Sequence, residues 1–221
     1  RELMSRKSVS PKAGNRKAIL FGGINYDFSQ EDWASASSHH NDTQLLALRS
    51  NEGDGRGAQN VSLSYLQGTK TEVDAISSVL KGNRVKHAFF SGNDATEDAF
   101  KNLSNQGVTS MHIATHGFYS TDTTVEELDK YGRPRFAAKE DKSMMQNGLY
   151  FAGANANFYG EDIPVNVNDG MLTAQEVSYL DFTDCGLVTL SACETGLGEV
   201  SGEGVFGLQR GFKKAGVNSI L

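Results

Sequence analysis

Two side chains in this sequence combine reactivity with position: His116, in Met111-His-Ile-Ala-Thr-His-Gly117, and Cys193, in Leu187-Val-Thr-Leu-Ser-Ala-Cys193. Each follows a short apolar run of the kind that forms a buried strand. In open α/β sheets ligands meet the protein just beyond the carboxyl ends of the strands. Consecutive strands of such a sheet are often neighbours, so the pattern predicts that the two residues face each other at one sheet edge. A cysteine within reach of a histidine is suited to attack on a carbonyl carbon. The thiolate attacks, and the imidazole accepts the thiol proton and later protonates the leaving amine. The oxyanion that forms needs donors fixed in advance. Gly117 can bring its N–H close to the bond being cut because no side chain intervenes, and the N–H of Cys193 is the natural second donor. Gly196 and Gly198 would keep the loop after the cysteine open to a peptide.

The elements that must hold these residues are legible in outline. Residues 1–16 are basic, polar and aperiodic, and read as a linker. Lys17 to Gly22 reads as a first strand, Val85 to Phe90 as a second, and Ser219 to Leu221 as the start of a fifth. A helix is predicted from Leu66-Gln-Gly-Thr69 to about Gly82, with Thr69 and Glu72 as a capping box and Val73, Ile76, Val79 and Leu80 as its apolar stripe. Thr96 opens a short helix that turns Phe100 and Leu103 inward. Leu172–Leu180 reads as helical, and Val205–Lys214 as a helix with Val205, Leu208 and Phe212 inside. Residues 27–62 and 119–170 read as two long loops, the second carrying a short strand at Leu149–Phe151. Strands alternating with helices predict an α/β fold: an open, mostly parallel sheet with helices on both faces.

Composition narrows the function classes. Lysine and arginine number 21 against 27 acids, a net charge of -6 in 221 residues. Such a chain has no global attraction for phosphate backbones, and no local basic patch offsets that, so no nucleic-acid partner is expected. No apolar run of about eighteen residues is present, so no membrane span is expected. The two cysteines, Cys185 and Cys193, form neither a disulfide framework nor a zinc motif, which points to a reducing, cytoplasmic setting. The chain begins without a methionine and stops within a strand-like run, and so reads as a piece of something longer.

Ile113-Ala-Thr-His-Gly117 and Thr189-Leu-Ser-Ala-Cys-Glu-Thr-Gly196 resemble the two motifs of the CHAT domain, a family grouped with caspases, separases, gingipains and metacaspases. Leu66-Gln-Gly-Thr69 to Glu72, Asp169-Gly-Met-Leu-Thr-Ala-Gln-Glu176 and Gly204-Val-Phe-Gly-Leu-Gln-Arg-Gly-Phe212 extend the resemblance over most of the chain from Lys17 onward. The resemblance implies a caspase-like peptidase domain over residues 17–221. The last strand and C-terminal segment would be truncated, with loop insertions at about 27–62 and 119–170. It implies a His116–Cys193 dyad, an oxyanion hole of the Gly117 and Cys193 N–H groups, and no cofactor. The implied activity is endopeptidase cleavage of protein or peptide substrates through a thioester acyl-enzyme. Relatives sit beside helical-repeat regions of the TPR type in bacterial proteins, which implies latency until a partner or trigger acts. Relatives with an acidic pocket after the first strand cut after lysine or arginine, and Asp27 stands at that place. Glu194, directly after the cysteine, would orient the loop or touch substrate.

Plainer readings stand beside these. A caspase-like scaffold that binds a protein partner without cleaving it would carry the same motifs. Asp27 can equally be a solvated loop acid, and Glu194 a helix-start acid. Cys185, His87 and His112 read as structural. His39, His40 and Asp42 have the composition of a metal site but lie in a segment with nothing to preorganise one. Gly202-Glu-Gly-Val-Phe-Gly207 matches a dinucleotide fingerprint but follows its strand about ten residues too late, and reads as loop flexibility and close helix–sheet approach. Arg210, Lys213 and Lys214 read as the solvent side of the last helix.

Overall fold

The continuous apolar run of β1 (Lys17–Ile24) lies buried in the middle of a parallel sheet, as a strand covered on both faces requires. The computed structural model describes residues 17–38, 62–119, 144–193 and 202–221, the side chains of 192, 193 and 202–205 excepted. After β1 come α1 (Gln30–Ser38), α2 (Gln67–Gly82), β2 (Lys86–Gly92), α3 (Glu97–Lys101) and β3 (Ser110–Tyr119). β4 (Asn147–Tyr150), α4 (Asn155–Tyr159), β5 (Met171–Thr173), α5 (Ala174–Val177), β6 (Leu187–Cys193), α6 (Gly202–Lys214) and β7 (Ser219–Ile220) follow. The parallel strands run in the order β2-β1-β3-β6-β7. β4 pairs antiparallel with the last residues of β3, and β5 antiparallel with β4, so a hairpin hangs on the carboxyl end of the central strand.

Alternation along the strands builds two cores. Leu20 and Ala114 pack with Val73 of α2 on one face. Ile19, Phe21, Met111 and Ile113 pack with Phe100 of α3 and Phe212 of α6 in the larger cluster. Helices on both faces are therefore the observed arrangement. α2 sits close to the sheet because Gly22 makes room for it: a Cβ there would lie 2.8 Å from Val73 Cγ1 and 2.9 Å from the Thr69 carbonyl. Gly23, at a φ of 64°, turns its N–H to the Thr69 hydroxyl at 2.9 Å.

Phe100 is the hub of the larger core. Its ring contacts those of Phe21, Phe151, Phe182 and Phe212 at centroid distances of 5.9, 5.5, 5.6 and 6.3 Å. These come from four different parts of the chain, so no single neighbour can collapse to fill the void. Phe100→Ala should lower the unfolding free energy by about 3–5 kcal/mol. A fall in the denaturant midpoint with an unchanged slope checks this.

Several expected boundaries are corrected. Residues 27–62 are not one loop: α1 forms because Trp33 buries against Phe28 and the Ala156–Val167 cluster. Within 119–170 the strand lies at Asn147–Tyr150 and α4 follows it. Thr69 and Glu72 do not form a capping box. The helix starts after Leu66, the Thr69 hydroxyl donates to the Leu66 carbonyl at 2.7 Å, and Glu72 turns to the sheet. Val79 leaves the apolar stripe and is 62% exposed. Leu172–Leu180 is not one helix: Leu172 belongs to β5, and the capping box found here is Thr173 with Glu176, opening the short α5. Gly202–Gly207 lies in the first turns of α6 rather than in a flexible loop, with Gly207 packed closely on Asn147. Residues 1–16, Glu194, Gly196, Gly198, His39, His40, Asp42 and the side chain of Val205 lie outside the described residues. Among the described residues no helix is long and apolar enough to cross a membrane.

α3 is tied to the segment before β5 by a partly buried polar cluster. Glu97, almost wholly buried, accepts from the Gly170 N–H at 3.0 Å and lies 2.6 Å from Lys101 Nζ, which also meets Glu176 at 2.9 Å and Asn168 at 2.9 Å. Burial pushes the Glu97 carboxyl up from 4.5 to about 8, against the pull of Lys101 and with Glu176 and Asp169 adding to the rise. The folded chain therefore holds this proton more tightly than the unfolded chain does. The stability it contributes is present below 4.5 and is lost as pH rises through about 8. Denaturant midpoints should fall across that window, and Glu97→Gln should flatten the slope.

Candidate active site

The carboxyl ends of β1, β3 and β6 meet at one edge of the sheet. β3 and β6 pair in parallel from Ser110 with Leu187 to His116 with Cys193, so the histidine and the backbone of the cysteine are direct cross-strand partners. The side chain of Cys193 lies outside the described residues. Gly117 follows His116 within β3 and pairs with Leu149 of β4.

His116 is 4% exposed, and its ring is fixed from two sides. Nε2 lies 2.9 Å from the carbonyl oxygen of Ser64. A carbonyl only accepts, so Nε2 carries the proton and Nδ1 of the neutral ring is the basic nitrogen. The Tyr26 ring packs against the imidazole at 5.1 Å and 53°. Tyr26 in turn belongs to a directed relay. The Thr115 hydroxyl donates to the Tyr150 carbonyl at 2.5 Å, so its oxygen accepts from the Tyr26 hydroxyl at 2.9 Å. The Tyr26 oxygen then accepts the His116 N–H at 3.4 Å. Burial raises the Tyr26 pKa and keeps that hydroxyl protonated. An imidazole so held can take a proton at Nδ1, and the Ser64 carbonyl stabilises the imidazolium that results.

The Ser64 carbonyl is itself positioned. Leu63 donates its N–H to Asn155 Oδ1 at 2.7 Å, and Asn155 Nδ2 donates back to the Leu63 carbonyl at 3.1 Å. Asn155 Nδ2 also donates to Asp27 Oδ1 at 2.7 Å. Asp27 is exposed, two residues beyond its Asn25 turn partner, and the Tyr159 hydroxyl reaches the same oxygen at 3.5 Å. Below the site, Glu72 of α2 bridges both central strands. Its Oε2 accepts from the Ser191 hydroxyl at 3.0 Å, and its Oε1 lies 2.9 Å from His112 Nε2, close but not aligned as a hydrogen bond.

The remaining candidates have structural partners. His87 is held by Ser77 at 2.8 Å and the Val85 carbonyl at 3.0 Å. Cys185 is 1% exposed and donates weakly to the Leu187 carbonyl at 3.4 Å, and burial pushes its thiol up to about 11. Such a thiol is a poor nucleophile at neutral pH.

Of the candidates named from the sequence, His116, Gly117 and the backbone of Cys193 lie together at the ends of β3 and β6, and Asp27 lies beyond β1. The neighbouring Ser64, Tyr26, Thr115 and Asn155 were not among them. Ser64 acts through a backbone carbonyl, which leaves no mark on residue type. No curated protein and no solved structure matches the chain. A family model described as the CHAT domain matches residues 14–221.

Proposed function

We propose, since the chain belongs to the CHAT domain family of caspase-like cysteine peptidase domains, that it is an endopeptidase working through His116 and Cys193. The observation that carries this reading is the register of His116 opposite Cys193, with the Nε2 proton committed to a carbonyl. His116 Nδ1 takes the thiol proton, and the thiolate adds to the scissile carbonyl carbon. The oxyanion is held by the N–H groups of Gly117 and Cys193. Collapse breaks the C–N bond, His116 returns the proton to the departing amine, and a thioester remains. His116 then removes a proton from water, whose oxygen attacks the thioester. Cleavage of the C–S bond frees the new carboxyl terminus, and the thiol regains its proton.

Asp27 is the proposed base of the pocket for the residue before the cut, selecting lysine or arginine by a charge-assisted hydrogen bond. Asn155 and Tyr159 both approach Oδ1, a geometry that supports a fixed rather than a freely solvated carboxylate. A partner protein or helical-repeat region controls the activity in this reading, in a cytoplasmic setting. A survey of new N-termini in a proteome digest, with Cys193→Ala alongside, tests it. Cuts that vanish in the variant support the peptidase. Identical patterns overturn it in favour of a partner-binding scaffold.

A further inference from the structure

Asn155 is 1% exposed, in the short α4, and both donors and the oxygen of its amide are engaged. Its oxygen accepts the Leu63 N–H, and its nitrogen donates to the Leu63 carbonyl and to Asp27. The orientation has no alternative. An N–H can only donate, a carbonyl and a carboxylate can only accept, so a flipped amide would face all three partners wrongly. The backbone N–H of Asn155 also donates to the Tyr26 carbonyl at 3.0 Å. One residue therefore grips three neighbours of the site: Leu63, next to the carbonyl that orients His116; Tyr26, which packs on the His116 ring; and Asp27.

We propose that Asn155 is a positioning residue that couples the substrate-pocket acid Asp27 to the orientation of His116. This rests on the peptidase reading above. The two linked groups serve different parts of catalysis. Ser64, held through Leu63, fixes the tautomer of the base and so acts on kcat for any peptide. Asp27, held directly, acts on the binding of basic peptides alone. A carboxylate pulled by a cationic side chain in the pocket tugs on the same amide that sets the Leu63–Ser64 peptide. Substrate charge is thereby transmitted to the base across three hydrogen bonds, Asp27 to Asn155, Asn155 to Leu63 and the Ser64 carbonyl to His116.

The test compares wild type with Asn155→Ala and the isosteric Asn155→Asp. The aspartate keeps the volume and the acceptor for the Leu63 N–H but loses both donations. Histidine side-chain nitrogen NMR reads the His116 tautomer in each protein without any need for turnover. Matched peptides with lysine or leucine before the cut give kcat and KM. In both variants the slowly exchanging Nε2–H signal of His116 should be lost or shifted. The value of kcat should fall by about 10²-fold for both peptides, and KM should rise only for the lysine peptide. A purely structural role would scale kcat equally by loss of folded protein and leave KM and the tautomer untouched, and that result overturns the proposal. Wild type that shows no Cys193-dependent cleavage sinks the peptidase reading instead, while the tautomer still decides the role of Asn155.

Discussion

Cys193→Ala should reduce peptide cleavage by about 10⁴-fold or more. In the peptidase reading alanine removes the thiol that would form the thioester, and the oxyanion donors that remain could stabilise only attack by water. His116→Ala should cost nearly as much, because a thiol without an adjacent base is mostly protonated at neutral pH. The double variant should be no worse than either single one, since the two groups act as one unit. Strong additivity would mean that they work independently and would sink the dyad. The second cysteine supplies an internal control. Cys185 is buried, with its thiol pushed up to about 11, so an electrophilic peptide probe should label Cys193 within minutes and leave Cys185 untouched. Labelling of both at similar rates would indicate general opening of the fold rather than an activated nucleophile. Thermal unfolding of the alanine variant checks that lost turnover is not lost protein.

The strands and the candidate residues at their ends were legible because both signals are local. Apolar runs mark β1, β3 and β6, and His116 and Cys193 fall at paired register positions near the carboxyl ends of β3 and β6. The short α3 was legible because Thr96 caps it, accepting from the Ala99 N–H at 3.0 Å. Elements fixed by distant partners were not legible. α1 carries a single large apolar residue, Trp33, and has no stripe to read; it exists because Trp33 lies against Phe28 and against Gly153, where a Cβ would come within 2.8 Å of the indole. Thr69 and Glu72 have the spacing of a capping box, but tertiary partners took both side chains: the Gly23 N–H for one, Ser191 and His112 for the other. Asn155 is the extreme case. Its partners stand 92 and 128 positions away, and an asparagine in a Gly-, Ala- and Asn-rich stretch gives no periodic signal. The contacts that hold His116 were therefore hidden even though His116 itself stood out as a candidate.

Asp27→Asn should abolish the preference for a basic residue before the cut, lowering kcat/KM for lysine and arginine peptides by about 10³-fold while leaving a leucine peptide within a few-fold of wild type. The substitution is nearly isosteric. An asparagine oxygen can still accept from Asn155 Nδ2, so the support of Leu63 and Ser64 is preserved and the dyad should be unaffected. What changes is the second atom, from a carboxylate oxygen to an amide N–H, which places a donor against the donors of an ammonium or guanidinium. The loss is therefore more than the removal of a charge. Salt separates this from a general effect. Asp27 is exposed, so its attraction for a cationic side chain is screened, and wild-type KM for the lysine peptide should rise between low and high ionic strength. That dependence should vanish in Asp27→Asn and never appear for leucine. If Asp27 is only a solvated loop acid, every peptide will keep its wild-type kcat/KM in the variant. If leucine and lysine peptides fall together, the acid serves the base through Asn155 and not the pocket. Only a loss confined to basic peptides, with a matching loss of salt dependence, fits a carboxylate that meets the substrate.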